Sequence, residues 1–327
     1  MKKYLQNQIA ASPLTLLVSA VVTIIVWLTA GLLAHQWWIH LVCLAVSAYL
    51  MVEMSNNNAL LRVRSRMVTS VFLMFSSCLS PCFAHLSGAI VTLCFIASVL
   101  LLFQTYQNQD TTGLIFYSYL FIGIASLFWA QSVFFVPLFW ILNLTQLQSL
   151  SLRTWSASLL GILTPYWFAL PWMIYNENFS RFIEHFSQVF AFDHSFSFTI
   201  LSLGAKATLL FILTLFVLAF LHFRSHSFED RIRIRQLYGF FAVVTVASTI
   251  FLLVQPQFFD PLMRIIIISV SPFVAHFFTL TSSRATNLIF IIGCVLLMAV
   301  IGINLYESIS ADYIETPTTS WSGLLTF

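Results

Sequence analysis

Residues 199–255 read TILSLGAKATLLFILTLFVLAFLHFRSHSFEDRIRIRQLYGFFAVVTVASTIFLLVQ. Two apolar runs, 199–222 and 237–255, flank a short polar segment that carries Arg224, Arg231, Arg233 and Arg235. A hydrocarbon layer about 30 Å thick takes roughly 20 helical residues per crossing, so each run has the length of one crossing. Inside lipid every backbone N–H and C=O needs an internal partner, and a helix supplies them all within its own segment. The stretch therefore reads as a transmembrane helical hairpin with a basic connection. Basic connections are retained on the cytoplasmic side, which orients the hairpin.

Working outward, further apolar runs lie near residues 14–34, 39–54, 67–84, 86–103, 114–147, 155–175, 262–280 and 286–305. The 327-residue chain is 60% hydrophobic and 8% charged, against roughly a quarter charged in soluble domains. Its net charge of +3 is small, and no nucleic-acid partner is expected. The run 114–147 would reach on the order of 50 Å as one straight helix. It is predicted to be two short helices that turn near Trp129, Ala130, Gln131 and Ser132.

Charge parity supports that split. With it, the cytoplasmic side holds Lys2, Lys3, Arg62, Arg64, Arg66, Arg153, Arg224, Arg231, Arg233, Arg235 and Arg284. Arg181, Lys206 and Arg264 are left outside; without the split, the arginines from Arg224 to Arg235 would move outside, against the usual bias. The predicted fold is all-α, a polytopic transmembrane helix bundle of about eleven spans, N-in/C-out. It is read as a single integral membrane domain over residues 1–327, within which 176–198 forms an outer interfacial helix or loop. The first run ends at His35-Gln36-Trp37-Trp38 without a small-residue cleavage site, and is read as a retained span rather than a signal peptide.

Two polar constellations are candidate sites. On the cytoplasmic side, Asn57, Arg62, Arg64 and Arg66, with a second set at Arg231, Arg233 and Arg235, suit a lipid phosphate, because guanidinium binds phosphate in a bidentate fork. Ordinary topogenic charge is the alternative reading of the same arginines, and Glu53 is either their ion-pair partner or an intramembrane acid. On the outer side, Phe179, Phe182, Ile183, Phe186, Val189 and Phe190 recur at helical spacing, opposite Arg181, Glu184, His185 and Gln188. Arg181, Glu184 and His185 combine a cation, an acid and a base able to activate a hydroxyl acceptor; a structural interfacial helix is the alternative.

Cys78, Cys82 and His85 have i, i+4, i+7 spacing that suits a soft metal ion. Pro81 interrupts the helix and no fourth ligand is near in sequence, so packing is the preferred reading and no metal or other cofactor is expected. Asp260 and Arg264 are expected to pair at the outer boundary. The chain has no phosphate-binding glycine loop, nucleophile elbow, zinc-protease motif or dinucleotide fingerprint.

Asn56-Asn57-Asn58 leading into Leu60-Leu61-Arg62, the Gly123–Phe128 stretch and the Gly161–Tyr166 stretch together resemble an uncharacterised family of polytopic envelope membrane proteins from Bacteroidota, over about the first half of the chain. That resemblance implies membership without an activity. The chain is more loosely similar to polyprenyl-phosphate-dependent glycosyltransferases, although the first outer loop, His35-Gln36-Trp37-Trp38, lacks their acidic residue. Glycan ligases are similar in placing basic and histidine residues in a later outer loop, as Arg181 and His185 do here.

The leading expectation is a protein of the bacterial inner membrane that handles or transfers a lipid-linked envelope glycan intermediate. Membrane lipids and a polyprenyl-linked or other amphiphilic substrate are its expected partners. A transporter or flippase built around Thr164, Pro165, Tyr166 and Pro171 is the second reading, and a non-catalytic membrane subunit the third.

Overall fold

The computed structural model describes residues 4–63, 65–175, 196 and 198–314 of the chain. Among them all regular structure is helical: α1 Leu5–Ala11, α2 Thr15–Thr29, α3 Leu32–His35, α4 Trp38–Asn58, α5 Met67–Ser76, α6 Leu86–Gln104, α7 Thr112–Phe128, α8 Phe135–Thr145, α9 Leu152–Tyr175, α10 Leu203–His226, α11 Ile232–Val254, α12 Phe259–Leu280 and α13 Arg284–Ile314, with short 3-10 turns between some of them. Six helical segments among the described residues are long and apolar enough to cross a membrane, or seven when the bent pair α1 and α2 counts as one. This is the helix inventory of an integral membrane protein. It falls short of the eleven or so spans expected from the sequence in part because several helices are short: Met67–Cys82, Thr112–Phe128 and Ala130–Thr145 each fall below the length of a full crossing.

The chain divides into two compact units, residues 1–96 with 194–307, and residues 97–193 with 308–327. In the first, α12 is the core. It packs against α1, α5, α10 and α11, and 94% of an 18-residue apolar stretch within Pro256–Leu280 is buried. Its neighbours are greasy on their outer faces, as Leu210, Val217 and Leu221 of α10 and Val295 and Met298 of α13 show. Apolar side chains that would be costly in water are at no disadvantage in lipid, so burial and exposure here follow polarity less than in a soluble domain.

The start of the chain is pinned by polar bonds. α1 and α2 meet at 93°. Gln6 Nε2 donates to the Thr281 carbonyl at 2.6 Å, Asn7 Nδ2 donates to the same carbonyl at 3.2 Å, and the Gln6 amide donates to Asn287 Oδ1 at 3.2 Å. These bonds satisfy the carbonyl at the end of α12, where the helix has no internal donor left to offer.

In the second unit α7 and α9 pack closely. A Cβ on Gly161 would lie 2.4 Å from the Phe116 carbonyl oxygen, and one on Gly123 would lie 2.7 Å from that of Ile162. Small residues that let two helix backbones approach are the usual adhesive in lipid, where no hydrophobic drive joins helices. Ser126 Oγ and Tyr166 Oη lie 2.5 Å apart, and Asn143 Nδ2 donates to Tyr119 Oη at 3.0 Å. The run 114–147 is broken at Trp129, whose extended backbone (φ −146°, ψ 98°) ends α7 before the 3-10 turn at 130–134.

Candidate functional site

The central helix α12 carries a polar cluster at each end. At the end shared with the turn after α4 and the start of α11, Arg62 Nε donates to Asp230 Oδ1 at 2.6 Å and Arg62 Nη1 donates to Glu229 Oε2 at 2.6 Å. His276 Nε2 lies 3.3 Å from Asp230 Oδ2, and the two side chains are 2% and 1% exposed. Tyr238 Oη lies 3.2 Å from the carbonyls of both Leu60 and Pro272, and Arg233 Nη2 donates to Asn58 Oδ1 at 2.9 Å. Burial works to raise the Asp230 carboxyl, but the bonds from His276 and Arg62 outweigh it and hold the group at about 2, below its ordinary 3.8. The hydrogen bond to Asp230 in turn raises the Arg62 guanidinium above its usual range.

These contacts show where the basic candidates sit. The fork of Arg62 is taken up by two carboxylates, while Arg66, Arg231 and Arg235 are exposed around the same end. Asn57 Nδ2 donates to Glu53 Oε1 at 2.9 Å. Arg64, and the outer candidates Arg181, Glu184 and His185 with the segment around them, lie outside the described residues. In sequence His276 stands as an isolated histidine, and nothing there joins it to Asp230. Their one sequence signal is an acidic pair, Glu229-Asp230, inside an otherwise basic connection.

At the opposite end of α12, Arg264 Nε donates to Asp260 Oδ1 at 2.5 Å, the pairing expected from their i, i+4 spacing. Arg264 Nη2 also donates to the Cys82 carbonyl at 2.9 Å, which ties α12 to the 3-10 turn Ser77–Cys82. His85 Nδ1 lies 3.4 Å from Asp260 Oδ2, and the nearby carboxylate raises the imidazole above its ordinary 6.5. Cys82, His85 and Asp260 each offer one ligand atom, and the three atoms lie within 4.8 Å of one another. Cys78 does not join them: it is buried on the preceding turn, with its Sγ 3.7 Å from the Met74 carbonyl. Gly88 makes room for the carboxylate, since a Cβ there would fall 2.3 Å from Asp260 Oδ2.

Beside α12 lies an apolar cleft of about 490 Å³. Ile9, Val18 and Val22 of α1 and α2, Met67, Val71 and Phe75 of α5, Phe211 and Leu215 of α10, Val274 and Phe278 of α12, and Phe290, Gly293 and Cys294 of α13 line it. Its few polar groups, Gln8, Ser12, Thr15, Ser19 and Ser70, are uncharged. In the proline-rich segment 164–171 the contacts are between helices or within α9. Tyr166 bonds Ser126, Pro165 packs beside Gly123, and Thr164 Oγ1 donates to the Leu160 carbonyl at 2.6 Å.

The chain matches no known protein family, no curated protein and no solved structure.

Proposed function

We propose that this chain is an integral membrane protein that takes the hydrocarbon tail of an anionic membrane amphiphile into the cleft between α1, α2, α5, α12 and α13. The observation that carries the reading is the cleft itself. Its volume of about 490 Å³ falls within the range of roughly 300–1,000 Å³ usual for small-molecule sites. Walls without charge suit a methylene chain and offer nothing to an ion. Arg66, exposed at the start of α5, and Arg284, exposed at the start of α13, stand at the ends of two cleft-lining helices where an anionic headgroup would sit.

The topology that goes with this reading has about eleven crossings, N-in/C-out. Adding the bent pair, the three shorter apolar helices and Leu152–Tyr175 to the six full-length spans supports that number. The arginine-rich end then faces the cytoplasm of a bacterium and the membrane is the inner one. In its narrower form the amphiphile is a lipid-linked glycan intermediate of the envelope, with Arg181, Glu184 and His185 serving its transfer on the outer side.

The test uses Gly293, where an added Cβ meets nothing within 4 Å because it points into open space. Gly293→Phe fills the cleft without displacing backbone. Native mass spectrometry of the full chain from mild detergent is expected to show a co-purified anionic lipid on the wild type and its loss in Gly293→Phe at unchanged thermal stability. Wild-type protein free of lipid, or equal lipid on both proteins, overturns the reading.

A further inference from the structure

We propose that Cys82, His85 and Asp260 form a site for a divalent metal ion of the zinc class, at the end of α12 opposite the arginine-rich one. The site is independent of the cleft and of its occupant. A thiolate, an imidazole nitrogen and a carboxylate oxygen are the three ligand types zinc takes. The sulfur selects against magnesium and calcium, which prefer oxygen alone.

The geometry is close to what an ion needs. The three ligand atoms lie within 4.8 Å of one another, whereas tetrahedral bonds of about 2.0–2.3 Å place donors roughly 3.5 Å apart. Closing that gap takes about 1 Å of movement, and His85, 60% exposed, is free to make it by side-chain rotation. Its present contact with Asp260, 3.4 Å, is longer than a good hydrogen bond. The imidazole is thus near the carboxylate without being locked to it.

The backbone and the neighbouring cation hold the other two donors. The His85 amide donates to the Cys82 carbonyl at 3.2 Å, a turn that puts both side chains on one side of the chain. Arg264 occupies Asp260 Oδ1 and leaves Oδ2 facing His85, the outer-sphere support that orients metal-binding carboxylates. Binding replaces the Cys82 S–H bond by an S–metal bond and releases that proton to water, together with any proton carried by the ligating nitrogen of His85, while the ionised Asp260 carboxylate adds a lone pair with no proton change. Three protein donors leave one position open for water or an exogenous ligand.

Cobalt(II) is the probe, added to the full chain purified in detergent after chelator treatment. One equivalent is expected to give a thiolate-to-cobalt charge-transfer band that zinc abolishes. Cys82→Ser is expected to remove the band, His85→Gln to weaken cobalt binding by about tenfold or more, and Cys78→Ser to leave both unchanged. His85 is exposed, so His85→Gln reports on the site even if Cys82→Ser disturbs folding. Absence of the band in the wild type, its survival in Cys82→Ser, or unaltered cobalt affinity in His85→Gln overturns the proposal.

Discussion

Arg62 and Asp230, 168 positions apart in sequence, meet with Nε and Oδ1 separated by 2.6 Å. The contact fastens the turn after α4 to the connection between α10 and α11, and through His276 to the end of α12. Asp230 is 1% exposed at its side chain, so removing the guanidinium strands a buried carboxylate. Arg62→Gln is expected to lower stability by about 3 kcal/mol, toward the small end for buried pairs because water reaches part of Arg62. Glu229, 45% exposed, also binds Arg62, yet Glu229→Gln is expected to change little. Denaturant titration of the detergent-solubilised variants, followed by tryptophan fluorescence, measures both; equal losses in the two variants would contradict this assignment.

Asp230 also sets an acid limit. Its folded-state value of about 2 lies below the ordinary 3.8. A carboxylate depressed in this way stabilises the fold above its unfolded value, and the contribution is lost as pH falls through the folded one. The gain is about 2 kcal/mol at neutral pH and fades between roughly pH 4 and pH 2. Melting temperatures of wild type and Asp230→Asn are therefore expected to differ most above about pH 5 and to converge toward pH 2. A difference that stays constant across that range would show that ionisation of Asp230 is not what matters.

The second unit makes a separate prediction. Gly161 faces the Phe116 carbonyl so closely that any side chain must push α7 and α9 apart. Gly161→Val is expected to cost on the order of 1–3 kcal/mol and to lower the melting temperature. Gly113, where an added Cβ meets nothing within 4 Å, supplies the control: Gly113→Ala is expected to leave it unchanged.

Much of this fold is legible as apolar length, and the parts that are not have a common cause. The break at Trp129 was visible because the run 114–147 is too long for one crossing. α1 was not, since Gln6 and Asn7 look like loop residues until their bonds to the distant Thr281 carbonyl are seen. The run 67–84 hid a change to a 3-10 turn at Ser77–Cys82, because Pro81 marks a break without saying what shape follows. The sites divide the same way. Asp260 with Arg264 is a one-turn pattern on one helix and was legible, but its meeting with His85 depends on how α12 packs. His276 offered no pattern at all, being one polar residue in an apolar run whose partner lies in another connection.

The orientation is open to a direct assay. Reporter tags fused before Met1 and after Phe327 are expected in opposite compartments, the first cytoplasmic, since the proposed eleven crossings would place the two ends on opposite faces. Both tags in one compartment would require an even number of crossings and a different account of Leu152–Tyr175 or of the shorter helices.

The occupancy of the cleft is the central claim, and photocross-linking in membranes tests it most directly. Cells fed a diazirine-bearing fatty acid, irradiated and analysed by peptide mass spectrometry, are expected to label cleft residues such as Val71, Phe75, Phe211 and Cys294, with that labelling lost in Gly293→Phe. Label confined to outward-facing residues such as Leu210, Leu221 and Val295, with none inside the cleft, would contradict the account.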